Sequence, residues 1–195
     1  LNTIFQKYGG KSQGDMFITC ATIAQSYLLL ITSSMIGISG GTQAILSYNY
    51  GARRADRVKD AERNILGVML IFTTIMFLLS RLVPRYFVLL FTSDPQYISF
   101  SVWAIHTYTL MIIPLSFQYV FVDGLTALDR PKTGLALSVT RKSLFVLSAA
   151  ILPVFFDAKA AFFAEPVADG VCSVLSTVVF LLLINRHLQK RCQTV

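Results

Sequence analysis

Three acidic side chains stand beside or within stretches of the chain that are otherwise almost free of charge. Glu165 and Asp169 are four residues apart, so a helix would place them on one face. Asp123 ends a long uncharged stretch that begins at Pro95. An ionisable group in hydrocarbon costs about 2.5 to 3.5 kcal/mol even on lenient insertion scales, so it normally faces a bundle interior or water. These residues are therefore candidates for binding a proton or a cation.

Each of these acids also has a structural interpretation. Glu165 and Asp169 could be two like charges that raise each other's affinity for a proton. They could equally be acids favoured by a helix N-terminus at a wet interface, since Pro166 suits a first helical turn. Asp123 could bind a cation in a cleft, pair with Arg130 or Lys132, or reach water. The sequence leaves these alternatives open.

Neutral polar side chains in the same apolar stretches could line a cleft or could form hydrogen bonds that hold neighbouring helices together. The candidates are Gln43, Tyr48, Asn49, Gln118 and Tyr119. Arg141 and Lys142 lie inside a further apolar stretch. We expect at least one of these two long side chains to extend to the cytoplasmic membrane boundary, and we assign neither a role in binding a substrate.

An enzyme is one alternative. Gly37-Ile38-Ser39-Gly40 resembles the short pattern around the nucleophile of rhomboid-type intramembrane proteases. That chemistry requires a histidine within hydrogen-bond reach of Ser39, and His106 is the intramembrane candidate. The two residues are expected at different depths, so we predict that the protein is not an enzyme, with no catalytic residue, no metal ligand set and no cofactor.

The composition favours a membrane as the solvent of this chain. Of its 195 residues, 54% are apolar and only 14% are charged, whereas about a quarter are charged in an ordinary soluble domain; the mean hydropathy is +0.62. The net charge of +7 comes from residues between long uncharged runs rather than from one face. We therefore predict the lipid bilayer as a partner and exclude nucleic acid.

Long uncharged runs predict five membrane-spanning helices, because about 20 apolar residues are needed to cross the hydrocarbon. The predicted spans lie near residues 17–38, 65–83, 98–122, 135–156 and 160–184. Backbone in lipid must satisfy its own hydrogen bonds, so the fold class is all-α, a polytopic membrane helix bundle. Gly37, Gly40 and Gly41 are expected to break the first helix or admit a neighbour, and Pro114 is expected to kink the third.

The distribution of lysine and arginine predicts the orientation in the cell membrane. Ten of these residues fall on one side of the predicted spans and five on the other, and the remaining two are Arg141 and Lys142. The positive-inside rule places the ten in the cytoplasm, together with the C-terminus. Five spans that start outside imply the end of a sixth helix, for which Leu1 to Phe5 is the candidate.

Four segments carry a family resemblance. Gly41-Thr42-Gln43-Ala44-Ile45-Leu46-Ser47-Tyr48-Asn49-Tyr50-Gly51-Ala52 resembles the signature at the end of the eighth helix of multidrug and toxic compound extrusion (MATE) transporters. Three shorter matches follow in family order, and they begin at Leu90, Ala127 and Ala164. The sequence departs from the family at Ala44, where a proline is usual, and at Phe121, where some members have an aspartate.

The resemblance implies that residues 1–195 form the C-terminal six-helix lobe of a twelve-helix, two-lobe transporter whose N-terminal lobe is absent here. Such a transporter expels organic cations or other small-molecule drugs in exchange for protons or sodium ions, by alternating access. A flippase for lipid-linked oligosaccharides is an alternative, because Arg141 and Lys142 could face a pyrophosphate. A membrane subunit that does not transport is a further alternative and would lack a polar cleft.

Overall fold

The computed structural model describes the backbone of residues 2–192 and the side chains of residues 3–6 and 14–184. This part of the chain consists of helices joined by short turns and contains no strand. The helices are α1 (Asn2–Gly51), α2 (Ala55–Leu82), α3 (Pro84–Val88), α4 (Pro95–Tyr108), α5 (Ile112–Ala127), α6 (Pro131–Phe155), a 3-10 turn (Ala158–Phe163) and α7 (Ala164–Cys192). Five of the basic residues used to predict the orientation lie outside the described side chains, namely Lys7, Lys11, Arg186, Lys190 and Arg191.

Four of these helices are long and apolar enough to cross a membrane. They are Gly14–Gly51 of α1, α2, α6 and Ala158–Ile184, and the pair α4 and α5 supplies a fifth span if it is counted as one broken helix. Each predicted span lies within these helices to within one residue at its ends. The chain is therefore a multi-pass helical bundle.

The third predicted span is broken, but not where its proline stands. α4 ends at Tyr108, α5 begins at Ile112, and the two helices are bent by 46°. Pro114 is the third residue of α5, where its missing N–H is one of the donors that a helix start leaves unpaired in any case. The expectation of a kink at Pro114 is wrong by about one helical turn.

The glycines of α1 do not break it. α1 continues through Gly37, Gly40 and Gly41, and a Cβ added at any of the three would meet nothing within 4 Å. The prediction of a break is therefore wrong, and among the described residues no other helix approaches these positions closely.

The chain bends near its start instead. The rings of Phe5 and Phe17 are 6.0 Å apart, whereas twelve residues of a straight helix would separate them by about 18 Å. A Cβ on Gly14 would lie 3.2 Å from the carbonyl oxygen of Phe5, so the backbones approach closely there. Residues 3–6 thus fold back against the start of the first span, as expected for the end of a preceding helix. Leu1 lies outside the described residues.

Hydroxyl groups connect the buried faces of the helices. Thr73 of α2 and Ser116 of α5 share a 2.8 Å hydrogen bond, and Ser80 of α2 bonds Thr109 at 3.0 Å, at the break between α4 and α5. Helices in lipid gain little from hydrophobic burial against each other, so such bonds and close packing determine their arrangement. They position α5 against α2, where the Glu62 side chain described below contacts Gly124.

Candidate functional site

Arg141 of α6 is the centre of a buried ion cluster with α7. Its Nε donates to Asp169 Oδ1 at 2.7 Å, and its Nη2 donates to Glu165 Oε1 at 3.3 Å. Asp169 is fully buried and Arg141 is 9% exposed. The spacing of four residues places both acids on one face of α7, as the sequence predicts. Arg141 does not extend to the membrane boundary, because its guanidinium is held inside the bundle, whereas Lys142 is exposed.

The same guanidinium also faces the third span. Its central carbon lies 5.8 Å from the centre of the Tyr119 ring, within the range of a cation–π contact. Arg141 thus joins α5, α6 and α7 through one side chain. Both acids of α7 have a cationic partner, whose attraction offsets part of the cost of burying them, although Asp169 Oδ2 has no hydrogen-bond partner among the described residues.

A cavity of about 240 Å³ lies on the other side of Arg141, between α1, α5 and α6. Its lining combines apolar, amide, aromatic and charged side chains, namely Ile36, Gln118, Tyr119, Val122, Asp123, Ser138, Arg141 and Lys142. Gln118 is buried, and its Oε1 has no partner among the described residues. Three predicted site residues, Gln118, Tyr119 and Asp123, therefore meet in one cavity.

The other neutral candidates lie further along α1. Asn49 is half-buried and donates from Nδ2 to the carbonyl oxygen of Ile45 at 2.8 Å. Tyr48 is exposed, and Gln43 is half-buried. None of these three is among the residues that line the cavity. Glu165 and Asp169 also stand outside its lining and contact it through Arg141.

Ser39 of α1 forms a hydrogen bond with Tyr119 of α5, a residue that lines the cavity. Its hydroxyl lies within hydrogen-bond reach of Asp123 and of the backbone carbonyl oxygen of Tyr119, the latter at 3.2 Å. Ser39 is bonded to α5 and not to His106 within the described part of the chain. The pairing that a serine protease requires is therefore not formed.

Glu62 is a buried acid that the sequence analysis did not select. It is 6% exposed, and its Oε1 has no hydrogen-bond partner among the described residues. Its carboxyl group lies against Gly124 of α5 and within electrostatic range of Asp123. The residue was missed because Arg57, Lys59 and Arg63 surround it, which is typical of a loop at the membrane surface.

A periodic signal could have found Glu62. The buried residues of α2 recur at helical spacing, and they include Val58, Glu62, Ile65, Met69 and Thr73. The other buried residues on this face of α2 are apolar or carry a hydroxyl group. An acid on the same face therefore points into the bundle, although its neighbours in the sequence are solvated.

Comparison with known proteins identifies the family of this chain. The sequence profile of the MatE family matches residues 2–152. The chain belongs to the MatE family. It is a multi-pass membrane protein of a transporter family, and its fold is that of a transporter rather than of an enzyme.

Solved MATE structures have the same fold. An outward-facing multidrug resistance MATE transporter of the MOP superfamily superposes with a TM-score of 0.85 at 15% identity, over 97% of this chain and 42% of that one. An inward-facing conformation of such a transporter superposes with a TM-score of 0.81 at 15% identity, over 100% of this chain and 44% of that one. A MOP superfamily transporter from Pyrococcus furiosus superposes with a TM-score of 0.82 at 15% identity, over 95% of this chain and 42% of that one. That transporter is described by the reverse polarity of its binding pocket.

A curated relative is similar in sequence. The FAD transporter of Shewanella oneidensis is 26% identical over 136 residues, which are 70% of this chain and 29% of that protein. The chain thus spans less than half the length of the proteins it matches, and it corresponds to one lobe of a two-lobe helical transporter.

Proposed function

We propose that this lobe, joined to a second one, exports small organic molecules by alternating access in exchange for protons or sodium ions. The observation that carries the proposal is the cavity in which Tyr119, Asp123 and Arg141 meet. Polar groups that converge in a cavity of a helical bundle are typical of a ligand site, and a transporter needs such a site at membrane depth.

The charges around the cavity favour an organic cation as the substrate. Arg141 carries a positive charge, but its ion pairs with Glu165 and Asp169, which lie outside the cavity lining, compensate that charge. Asp123 then remains as a carboxylate on the cavity wall, beside the Tyr119 ring, and the exposed Lys142 belongs to the same lining. A flat organic cation would gain an ion pair from the acid and an aromatic contact from the ring. This lobe would provide half of the cleft, and the second lobe would complete it.

An anionic aromatic molecule is the second candidate. Arg141 and Lys142 both line the cavity, and together they offer two cations to a pyrophosphate group while Tyr119 offers a ring for stacking. The relative named as an FAD transporter supports this candidate, because FAD carries both groups. A lipid-linked pyrophosphate, the cargo of a flippase, would use the same two cations without the ring.

Transport by the two-lobe protein in proteoliposomes tests both candidates. Ethidium serves as the cationic probe and FAD as the anionic probe, each followed under an imposed pH gradient and an imposed sodium gradient. We expect Asp123→Asn to weaken ethidium transport and Lys142→Gln to weaken FAD transport, because each variant removes the charge that only one probe can pair with.

The outcomes separate the hypotheses. Ethidium movement that requires an ion gradient and is lost in Asp123→Asn supports export of cations. FAD movement that is lost in Lys142→Gln supports the second candidate instead. If neither probe moves under either gradient, although the protein is folded and correctly inserted, the antiport proposal fails.

A further inference from the structure

Glu62 of α2 and Asp123 of α5 form an acidic pair in which Glu62 is buried and Asp123 is half-buried, and neither makes an ion pair with a cation among the described side chains. Glu62 Oε1 is unpartnered, and the residue is more than nine-tenths buried. The carboxyl group occupies the space beside Gly124, where a Cβ would lie 3.0 Å from Glu62 Cδ. A buried carboxylate oxygen without a donor loses its hydration and gains nothing in return, so this geometry favours the neutral, protonated acid.

The charged groups around the pair also favour the protonated form of Glu62. On α5 the group that acts on Glu62 is the carboxyl of Asp123, which has the same sign. α1 packs against both helices and contributes the Ser39 hydroxyl to Asp123. From α6, Arg141 and Lys142 reach the cavity side of Asp123, and Arg141 is already bound to Glu165 and Asp169.

We propose that Glu62, assisted by Asp123 and Ser39, is the binding site for the coupling proton in this lobe. The inference rests on the proposed antiport function and names the residue through which the ion would act. The proton forms an O–H bond on a Glu62 carboxylate oxygen when it binds and leaves the same oxygen when it is released. The site lies at the end of the bundle that carries the basic loops, because Glu62 neighbours Arg63 in the sequence and Asp123 is near the end of α5.

Ser39 allows the pair to change charge without leaving its hydroxyl unbonded. A hydroxyl has one hydrogen and can donate to one acceptor at a time. When Asp123 is ionised, Ser39 can donate to its carboxylate; when Asp123 is protonated, Ser39 can donate to the Tyr119 carbonyl oxygen, 3.2 Å away. The two arrangements give the site two states of similar hydrogen-bond content.

Protonation of Glu62 would bias the packing of α2 against α5. The neutral carboxyl can remain beside Gly124, whereas the ionised group is repelled by Asp123 and gains hydration by moving out. An ion that changes the relative free energy of two conformations shifts their populations by that difference. A proton at Glu62 would thus favour the closely packed state of the lobe, and its release would favour the other.

The first test compares two transport modes of the two-lobe protein in proteoliposomes. Glu62→Gln is the test variant, and Asp60→Asn is the control, because Asp60 is exposed on the same helix. We expect Glu62→Gln to retain ethidium counterflow, which needs only alternating access, and to lose transport driven by a pH gradient. Asp60→Asn should retain both. Transport driven equally well in Glu62→Gln and in the parent would overturn the inference while leaving antiport intact.

The second test needs no variant, so it holds even if Glu62→Gln does not fold. Dicyclohexylcarbodiimide reacts with protonated carboxyl groups in apolar surroundings, and mass spectrometry locates the modified residue. We expect labelling of Glu62 that declines as the pH is raised, with Asp60 unlabelled. Absence of labelling at every pH, or protection by sodium ions at constant pH, would contradict a proton site. Failure of the antiport proposal is recognised separately, because the parent protein would then show no movement of ethidium or FAD under any gradient.

Discussion

The lobe buries its acidic residues in two ways. Glu165 and Asp169 lie against the guanidinium of Arg141, with donor–acceptor distances of 3.3 and 2.7 Å. Glu62 and Asp123 face each other without a cation among the described residues, and Glu62 Oε1 has no hydrogen bond. The first arrangement compensates charge and holds α6 against α7. The second leaves charge uncompensated, which suits a group that binds and releases a proton.

Removing Arg141 should have the largest effect on stability. Arg141→Met leaves two buried carboxyl groups without a partner, and breaking a buried pair from one side costs about 3 to 5 kcal/mol. Thermal unfolding in detergent measures this loss. The adjacent Lys142→Met serves as the control and should change little, because Lys142 is exposed. A small effect of Arg141→Met would show that the cluster does not compensate the acids.

The two acids of the cluster should differ from each other. Asp169 is fully buried and accepts the shorter bond, so Asp169→Asn should cost about 2 kcal/mol, in the range of hydrogen bonds to charged groups. Glu165→Gln should cost about half as much, since its bond is longer. The same unfolding assay ranks them, and the reverse order would contradict the assignment of Asp169 as the principal partner.

Gly124→Ala should destabilise the contact between α2 and α5 by about 1 to 2 kcal/mol, because the new methyl group would collide with the Glu62 carboxyl. Gly67→Ala controls for the intrinsic preference of a helix for alanine, since nothing lies within 4 Å of its Cβ. Glu62→Ala should relieve the collision, so the double variant should lose less than the sum of the single ones. Strict additivity would place Glu62 away from Gly124.

Glu62→Gln should have the smallest effect on stability. The side chain makes no hydrogen bond through Oε1 that the amide would lose, so the free energy of unfolding should change by less than about 1 kcal/mol. Equilibrium unfolding compared with Asp169→Asn checks the contrast between the two acidic pairs. A loss as large as that of Asp169→Asn would mean that Glu62 stabilises the fold through its charge.

Much of the fold is predictable from the segments of the sequence that contain no charged residue. Uncharged runs predict the spans because lipid excludes ionisable groups, and the fold-back of residues 3–6 follows from an odd number of spans. The break between α4 and α5 was placed too late, at Pro114, because a proline near the start of a helix needs no kink. The glycines of α1 do not break it, because a glycine weakens a helix by only about 1 kcal/mol, and among the described residues no other helix packs against them.

The candidate site was only partly predictable. Gln118, Tyr119 and Asp123 follow from polarity within an apolar run, and they line one cavity. The partnership of Arg141 with Glu165 and Asp169 joins residues 24 and 28 positions apart across a turn, which no local pattern determines. Glu62 was hidden by its basic neighbours, although the helical spacing of the buried stripe of α2 contains it.

Infrared difference spectroscopy of the reconstituted protein tests the central distinction between the two acidic pairs most directly. A protonated carboxyl has a carbonyl stretching band that an ionised one lacks, so a pH titration reports which acids carry a proton. We predict a titrating band that disappears in Glu62→Gln and remains in Glu165→Gln. A band that survives in Glu62→Gln and disappears in Glu165→Gln would assign the proton to the Arg141 cluster and contradict the account.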